Sequence, residues 1–217
     1  EQNLIAGFPS SPTTKTKEQD PRSLSEAFKQ EWYAGDAEIT SYSLSQERYG
    51  ELRQGTAVTI FVTEDTNPRK QVKADRSSEE NIPVLKLNLT KKFVTGIYPY
   101  SVMTSTFSPV NNQGHALKIS NSVQEWCGHV YTQLNNRNDF EVTSHSYFQG
   151  EADQNFNLEK NSLENQLWTQ LRIDPTSLPT GNINIIPSLE YTRLNHTPLK
   201  AYNAFAENKP GQYTLTI

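Results

Sequence analysis

The segment S-V-Q-E-W-C-G-H-V-Y-T-Q, Ser122–Gln133, decides how the chain is read. It holds the single cysteine, Cys127, two residues before His129. Successive side chains of a strand point to opposite faces. Read as extended chain, the segment places Glu125, Cys127, His129, Tyr131 and Gln133 on one face. Trp126, Gly128, Val130, Thr132 and Leu134 take the other. A second alternating run, Phe140 to Gln149, follows the polar link Asn135–Asp139. Its polar face carries Glu141, Thr143, His145, Tyr147 and Gln149.

If the two runs pair as a hairpin, burial of their apolar faces sets the register. Leu134 opposite Phe140 satisfies that condition. His129 then faces His145, Cys127 faces Tyr147 and Glu125 faces Gln149. Opposed Cβ atoms lie about 5 Å apart, so Glu125, Cys127, His129, Tyr131, His145 and Tyr147 form the candidate ligand-binding cluster. Three chemistries suit it. Cys127, His129 and His145 are competent Zn²⁺ ligands, although C-x-H is not a familiar zinc spacing. A Cys–His nucleophile pair needs a stabilised thiolate, yet no glycine-rich turn or helix start accompanies Cys127. A cavity lined by Tyr, His, Cys and Thr would hold a semi-polar ligand. Against all three stands an ordinary half-exposed sheet face with a small buried cysteine.

The surrounding chain has the same period. Ile39 to Ser45 alternates, Val58, Ile60 and Val62 share a face within Thr56–Thr63, and Val84 to Phe107 reads as extended. Tyr98-Pro99-Tyr100 marks a bulge or corner, because Pro lacks the ladder donor. Lys70–Lys73 reads as a short return strand after the turn Thr66-Asn67-Pro68. Asn111-Asn112-Gln113-Gly114 and Leu178-Pro179-Thr180-Gly181 read as turns. Ile183–Leu194, Leu199–Phe205 and Tyr213–Ile217 read as closing strands. A helix is expected from Leu24 to Tyr33, with Ser23 and Glu26 as a capping box and Leu24, Phe28 and Trp32 on one face. Asn161–Arg172 reads two ways: as a second helix, with Leu163, Leu167 and Leu171 at helical spacing, ended by Asp174-Pro175, or as a strand, since Leu167, Thr169, Leu171 and Ile173 also alternate. The fold expected is mainly β: one strongly curved antiparallel sheet or a partly open β-barrel, with one or two helices.

Composition agrees. The 217 residues are 34% hydrophobic with mean hydropathy −0.71, yet 10% are aromatic. That balance suits a sheet with one buried and one wet face. A net charge of −4 gives no basic field for nucleic acid. No run of about 18 apolar residues predicts a transmembrane span, and one cysteine excludes an intramolecular disulfide. Gly7–Pro21 is rich in Pro, Ser, Thr and Lys, so residues 1–22 read as a tether and 23–217 as one β-rich domain. The chain is expected to be an exported periplasmic or cell-envelope protein trimmed before Glu1, with a lipid anchor upstream of residue 1. Asn88-Leu89-Thr90 and Asn195-His196-Thr197 match the glycosylation sequon. His115 and His196 read as isolated, Glu151 and Asp153 as loop residues without an assigned partner. Phosphate loops, G-x-S-x-G, H-E-x-x-H and EF-hand spacing are absent from the sequence.

The runs W-Y-A-G-D-A-E-I-T-S-Y, R-Y-G-E-L-R-Q-G-T-A-V, K-K-F-V-T-G-I-Y-P-Y-S-V-M-T-S-T-F, S-V-Q-E-W-C-G-H-V-Y-T-Q-L-N and L-P-T-G resemble a family of exported proteins and lipoproteins of Bacteroidetes. The likeness runs from about Phe28 to the C-terminal strands. Members sometimes carry the transferred label septum formation inhibitor Maf. Maf proteins are α/β nucleotide pyrophosphatases with an S-x-S-P-R-R-type motif near the start, which this sequence lacks. The resemblance thus implies an envelope location and no activity. Strands followed by an L-W-T-Q-L-R helix, an L-P-T-G turn and closing strands are also similar to periplasmic half-barrel proteins that carry lipid or lipoprotein. The expected function is non-catalytic binding of an apolar or semi-polar, lipid-like ligand in a concave sheet, without a cofactor. A metal-binding or Cys/His enzyme and a structural envelope protein are the alternatives.

Overall fold

The computed structural model describes residues 24–111 and 114–209. The tether 1–22, Ser23, the middle of the Asn111–Gly114 turn and the run Tyr213–Ile217 lie outside them. The fold is mainly β. Nine antiparallel strands form the large sheet: β1 (Glu38–Arg48), β2 (Glu51–Asn67), β3 (Val72–Lys73), β4 (Ile82–Thr95), β5 (Tyr98–Pro109), β6 (Lys118–Glu125), β7 (Gly128–Asn136), β8 (Phe140–Ser146) and β9 (Gln154–Leu158). Their order follows the chain, β1-β2-β4-β5-β6-β7-β8-β9, with β3 beside β2. A small mixed sheet holds β10 (Ser162–Leu163), β11 (Gly181–Ile186) and β12 (Tyr202–Ala206). Three short helices complete it: α1 (Glu26–Trp32), α2 (Glu164–Ile173) and α3 (Leu189–Asn195).

Alternation makes the large sheet two-faced. In β1, Thr40, Tyr42 and Leu44 are half-buried, while Ser41, Ser43 and Ser45 are exposed. The inner face continues through Phe61, Leu85, Leu87, Phe93, Val102, Ile119, Val123, Val130, Leu134, Phe140 and Val142, all buried. The helices and the small sheet cover it. Phe28 and Trp32 of α1 pack on Phe61, Leu85 and Leu87. Leu163, Ile186 and Leu189 pack on Ile119, Leu134, Phe140 and Val142. Leu194 of α3 packs on Phe93, Tyr100, Val102, Val123 and Val130.

The expected curved single sheet or partly open barrel is corrected. Among the described residues no sheet closes or curls, and β1 and β9 do not pair. Apolar surface that a barrel would bury against itself is buried here by a second layer. Ile183–Leu194 is not one strand: Pro187 ends β11, and the Ser188 hydroxyl accepts from the Tyr191 N–H, starting α3. The first helix is capped by Ser25, whose hydroxyl accepts from the Phe28 N–H. Thr66-Asn67 remains in β2 rather than turning, and β4 and β5 join at Gly96-Ile97, with Pro99 inside the ladder opposite Val94. The α2 helix forms where expected, but Asn165 and Thr169 are its buried residues, and Leu171 is exposed.

The opening segment is itself a hairpin. Glu125 pairs with Gly128, so Trp126 and Cys127 form a two-residue turn between β6 and β7. In such a turn the side chains before and after it no longer alternate in one count. Glu125 therefore points inward with Val123 and Val130, whereas His129 points outward opposite Gln124. The next hairpin pairs Asn136 with Phe140 and Leu134 with Val142. This is two residues from the expected register. A shift of two preserves every face, so hydrophobic burial does not distinguish the two registers; the short Arg137–Asp139 link, closed by Arg137 N–H to the Asp139 carbonyl at 2.8 Å, decides.

Candidate functional site

Four of the six expected ligand-binding residues meet on the outer face. His129, Tyr131, His145 and Tyr147 line a groove of about 610 Å³ with Ser122, Gln124 and Asp153. Tyr131 stands opposite His145 in the ladder. The groove is open, with Tyr131 and Tyr147 exposed. Several of its polar groups already bond to neighbours. His145 Nδ1 lies 3.0 Å from Asp153 Oδ1, and the Tyr131 hydroxyl donates to Gln133 Oε1 at 2.8 Å. Asp153, without an assigned partner in the sequence, thus pairs with His145.

Glu125 and Cys127 do not join them. Cys127 is exposed at the turn tip, and its N–H donates to Glu125 Oε2 at 2.9 Å. Desolvation beside this turn and the charge of Glu125 hold the thiol pKa above its ordinary value. A raised pKa leaves little thiolate for attack or ligation. Among the described residues no three His, Cys, Asp or Glu side chains come together to hold a metal ion, so Cys127, His129 and His145 are not assembled as a zinc site.

Glu125 instead enters a polar cluster beneath α3. Its Oε1 is 3.7 Å from Arg193 Nη2, and both side chains are almost wholly buried. Arg48, at the end of β1, donates to the Leu194 carbonyl at the end of α3 and to the Tyr49 hydroxyl at 3.2 Å. Tyr49 bonds Tyr100 at 3.1 Å. Tyr49 and Gly50 both have positive φ, 58° and 74°, as a two-residue I′ hairpin needs. A second ion pair, Lys91 Nζ to Glu190 Oε1 at 2.7 Å, also ties α3 to the inner face.

Arg193 is held from several sides. Its guanidinium lies 4.3 Å from the Phe148 ring centroid. Its Nη1 is 3.5 Å from His196 Nε2, and His196 Nδ1 is 2.5 Å from Glu151 Oε1. His196 thus sits between the Glu151 carboxylate at Nδ1 and the Arg193 guanidinium at Nε2. His196 caps α3 with φ 52° and is not isolated, and Glu151 has found its partner. Burial lowers the Arg193 pKa from the usual arginine value; Glu151 and Glu125 oppose that shift, and Arg48 adds to it.

Beside Arg193, between α3 and strands β7, β8 and β9, lies an inner cleft of about 460 Å³. Val130, Val142, Phe156, Leu189 and Leu199 give it apolar walls; Thr132, Ser144, Glu151, Gln154, Thr192, Arg193, His196 and Thr197 give it polar ones in about equal measure. The Thr197 hydroxyl and Arg193 Nε and Nη2 are buried without a hydrogen-bond partner among the described residues. Sequence reading missed this site because Arg193 lay in a segment assigned to a strand. The available signal was Pro187-Ser188 ahead of Leu189, with Glu190 in the first turn and Arg193 in the last.

Comparison with protein-family models, with curated proteins and with solved structures finds no match. Among the described residues no helix is long and apolar enough to cross a membrane.

Proposed function

We propose that this is a non-catalytic binding protein whose ligand occupies the inner cleft between α3 and the β7–β8–β9 edge of the large sheet. The observation that carries the reading is the cleft itself. Its volume, about 460 Å³, falls in the range of small-molecule sites, and its walls are apolar and polar in about equal measure. Its partly enclosed position under α3 favours it over the open outer groove. The guest that fits such walls is amphiphilic, in keeping with the lipid-like ligand expected from the sequence. The same proposal places the protein in the cell envelope, on the strength of the tether composition and the resemblance described above.

The test is native mass spectrometry of the purified chain, followed by organic extraction. A retained small amphiphile is the expected result. Ser144→Phe projects a ring from β8 into the cleft and should abolish retention while leaving the fold intact by circular dichroism. Retention undiminished in that variant would remove the cleft from consideration.

A further inference from the structure

We propose that the outer face of the large sheet carries a second binding site, for an uncharged oligosaccharide laid in the groove over β6, β7 and β8. The inference is independent of the inner cleft, which lies on the opposite face. The groove is the larger of the two, about 610 Å³ against about 460 Å³, and it is open. Strands β6, β7 and β8 are each paired on both sides, so no backbone edge is free there to take a peptide as an added strand. Whatever binds is read by side chains.

Charge narrows the partner. The residues that line the groove include no lysine or arginine and a single carboxylate, Asp153, which lies 3.0 Å from His145 Nδ1. Such a surface neither draws a polyanion nor complements a basic peptide; its match is an uncharged partner. Shape and polarity narrow it further. Tyr131 and Tyr147 are 41% and 68% exposed and line the same groove. Both rings are held. The Tyr131 hydroxyl donates to Gln133 Oε1 at 2.8 Å, and the Gln133 amide donates on to Asn135 Oδ1 at 2.6 Å. Tyr147 meets Phe148 edge-on, with centroids 5.6 Å apart, and lies so close to Gly128 that any Cβ there would collide with it. Exposed rings fixed in this way give contact area at small entropic cost. The C–H face of a pyranose stacks on them as other apolar surfaces do. Ser122 stands opposite Tyr131, and Gln124 opposite His129. The side chains of Ser122, Gln124 and His129 are exposed and make no hydrogen bond among the described residues. Together they offer donors and acceptors, the complement of sugar hydroxyls, which are both. A lipid would strip water from these groups and leave them unpaired.

Titration of the full chain with cellohexaose, mannohexaose and maltohexaose, followed by NMR, tests this. The chain has four histidines. His129 and His145 line the groove, His196 lines the inner cleft and His115 packs on Phe140. At least one hexasaccharide should bind and shift the ring signals of His129 and His145 while leaving those of His115 and His196 in place. Tyr131→Ala and Tyr147→Ala should each weaken that binding about tenfold. Hexagalacturonate, which carries a carboxylate on every ring, should bind more weakly than the neutral chain. Binding of none of the three neutral probes would overturn the proposal. So would shifts at His196 in place of His129 and His145, affinity untouched by both alanine variants, or tighter binding of hexagalacturonate. Should Tyr147→Ala fail to fold, Tyr131→Ala and the histidine signals decide. None of these outcomes touches the inner-cleft reading, whose test is a retained amphiphile.

Discussion

Arg193 Nη2 lies 3.7 Å from Glu125 Oε1, with 2% and 1% of the two side chains exposed. An ion pair so deeply buried adds little net stability as a pair, but removing one partner strands the other's charge. It also ties a helix to the tip of a hairpin. Glu125→Ala should therefore destabilise the protein by about 3 kcal/mol, measured by urea unfolding. A loss below about 0.5 kcal/mol, the level of an ordinary surface change, would mean that water already solvates Arg193.

The turn at Cys127 gives a chemical readout of the same carboxylate. The thiol is exposed, yet its pKa is raised by desolvation and by Glu125. The half-maximum of iodoacetamide alkylation should lie above the roughly 8.5 of free cysteine. A midpoint at or below that value would show that Glu125 does not face the thiol as described.

Gly55 sits where two strands leave no room. An added Cβ would collide with the Lys92 carbonyl oxygen and fall 2.8 Å from Phe93 Cβ. Backbone cannot swing aside as a side chain end can, so Gly55→Ala should cost at least 2 kcal/mol, on the order of a strained overpacking. Gly150, with nothing within 4 Å of its added Cβ, serves as the control and should tolerate Ala within about 0.5 kcal/mol. Equal melting temperatures for the two variants would contradict the β2–β4 register.

His115 packs edge-on against Phe140, with ring centroids 5.2 Å apart. Burial, then the charge of Lys160, lowers its pKa below the ordinary 6.5. The unfolded chain thus binds this proton more readily than the folded one. The contribution is fully present above pH 6.5 and is lost as pH falls from there toward the depressed folded value. Unfolding free energy should decrease between pH 7.5 and 5.5, and His115→Gln should show a shallower decrease. Identical slopes would assign the effect to other groups.

Local sequence determined the extended segments. Strict alternation, as in Tyr42, Leu44 and their serine neighbours, declares strand and faces together, because period two is a property of the backbone. It likewise placed His129, Tyr131, His145 and Tyr147 on one surface, since a register slip of two leaves faces unchanged. Helix α2 was only half legible, because Leu167, Thr169, Leu171 and Ile173 also alternate as in a strand, and the side it buries was not legible: Thr169 turns inward, where its hydroxyl meets that of Ser108 at 2.6 Å.

Tertiary structure alone decided the rest. Whether Glu125 faces with or against His129 depends on Trp126-Cys127 being a turn, and an alternating run does not announce where it folds back. Nor does any local pattern show that α3 covers the inner face and brings Arg193 to Glu125, 68 residues earlier in the chain. Burial of an arginine is a property of its surroundings, set by the long-range packing of Leu189 and Leu194 on the sheet. Residue types and faces are local matters; which faces meet, and what is left unpaired between them, is settled by the layers that close over the core.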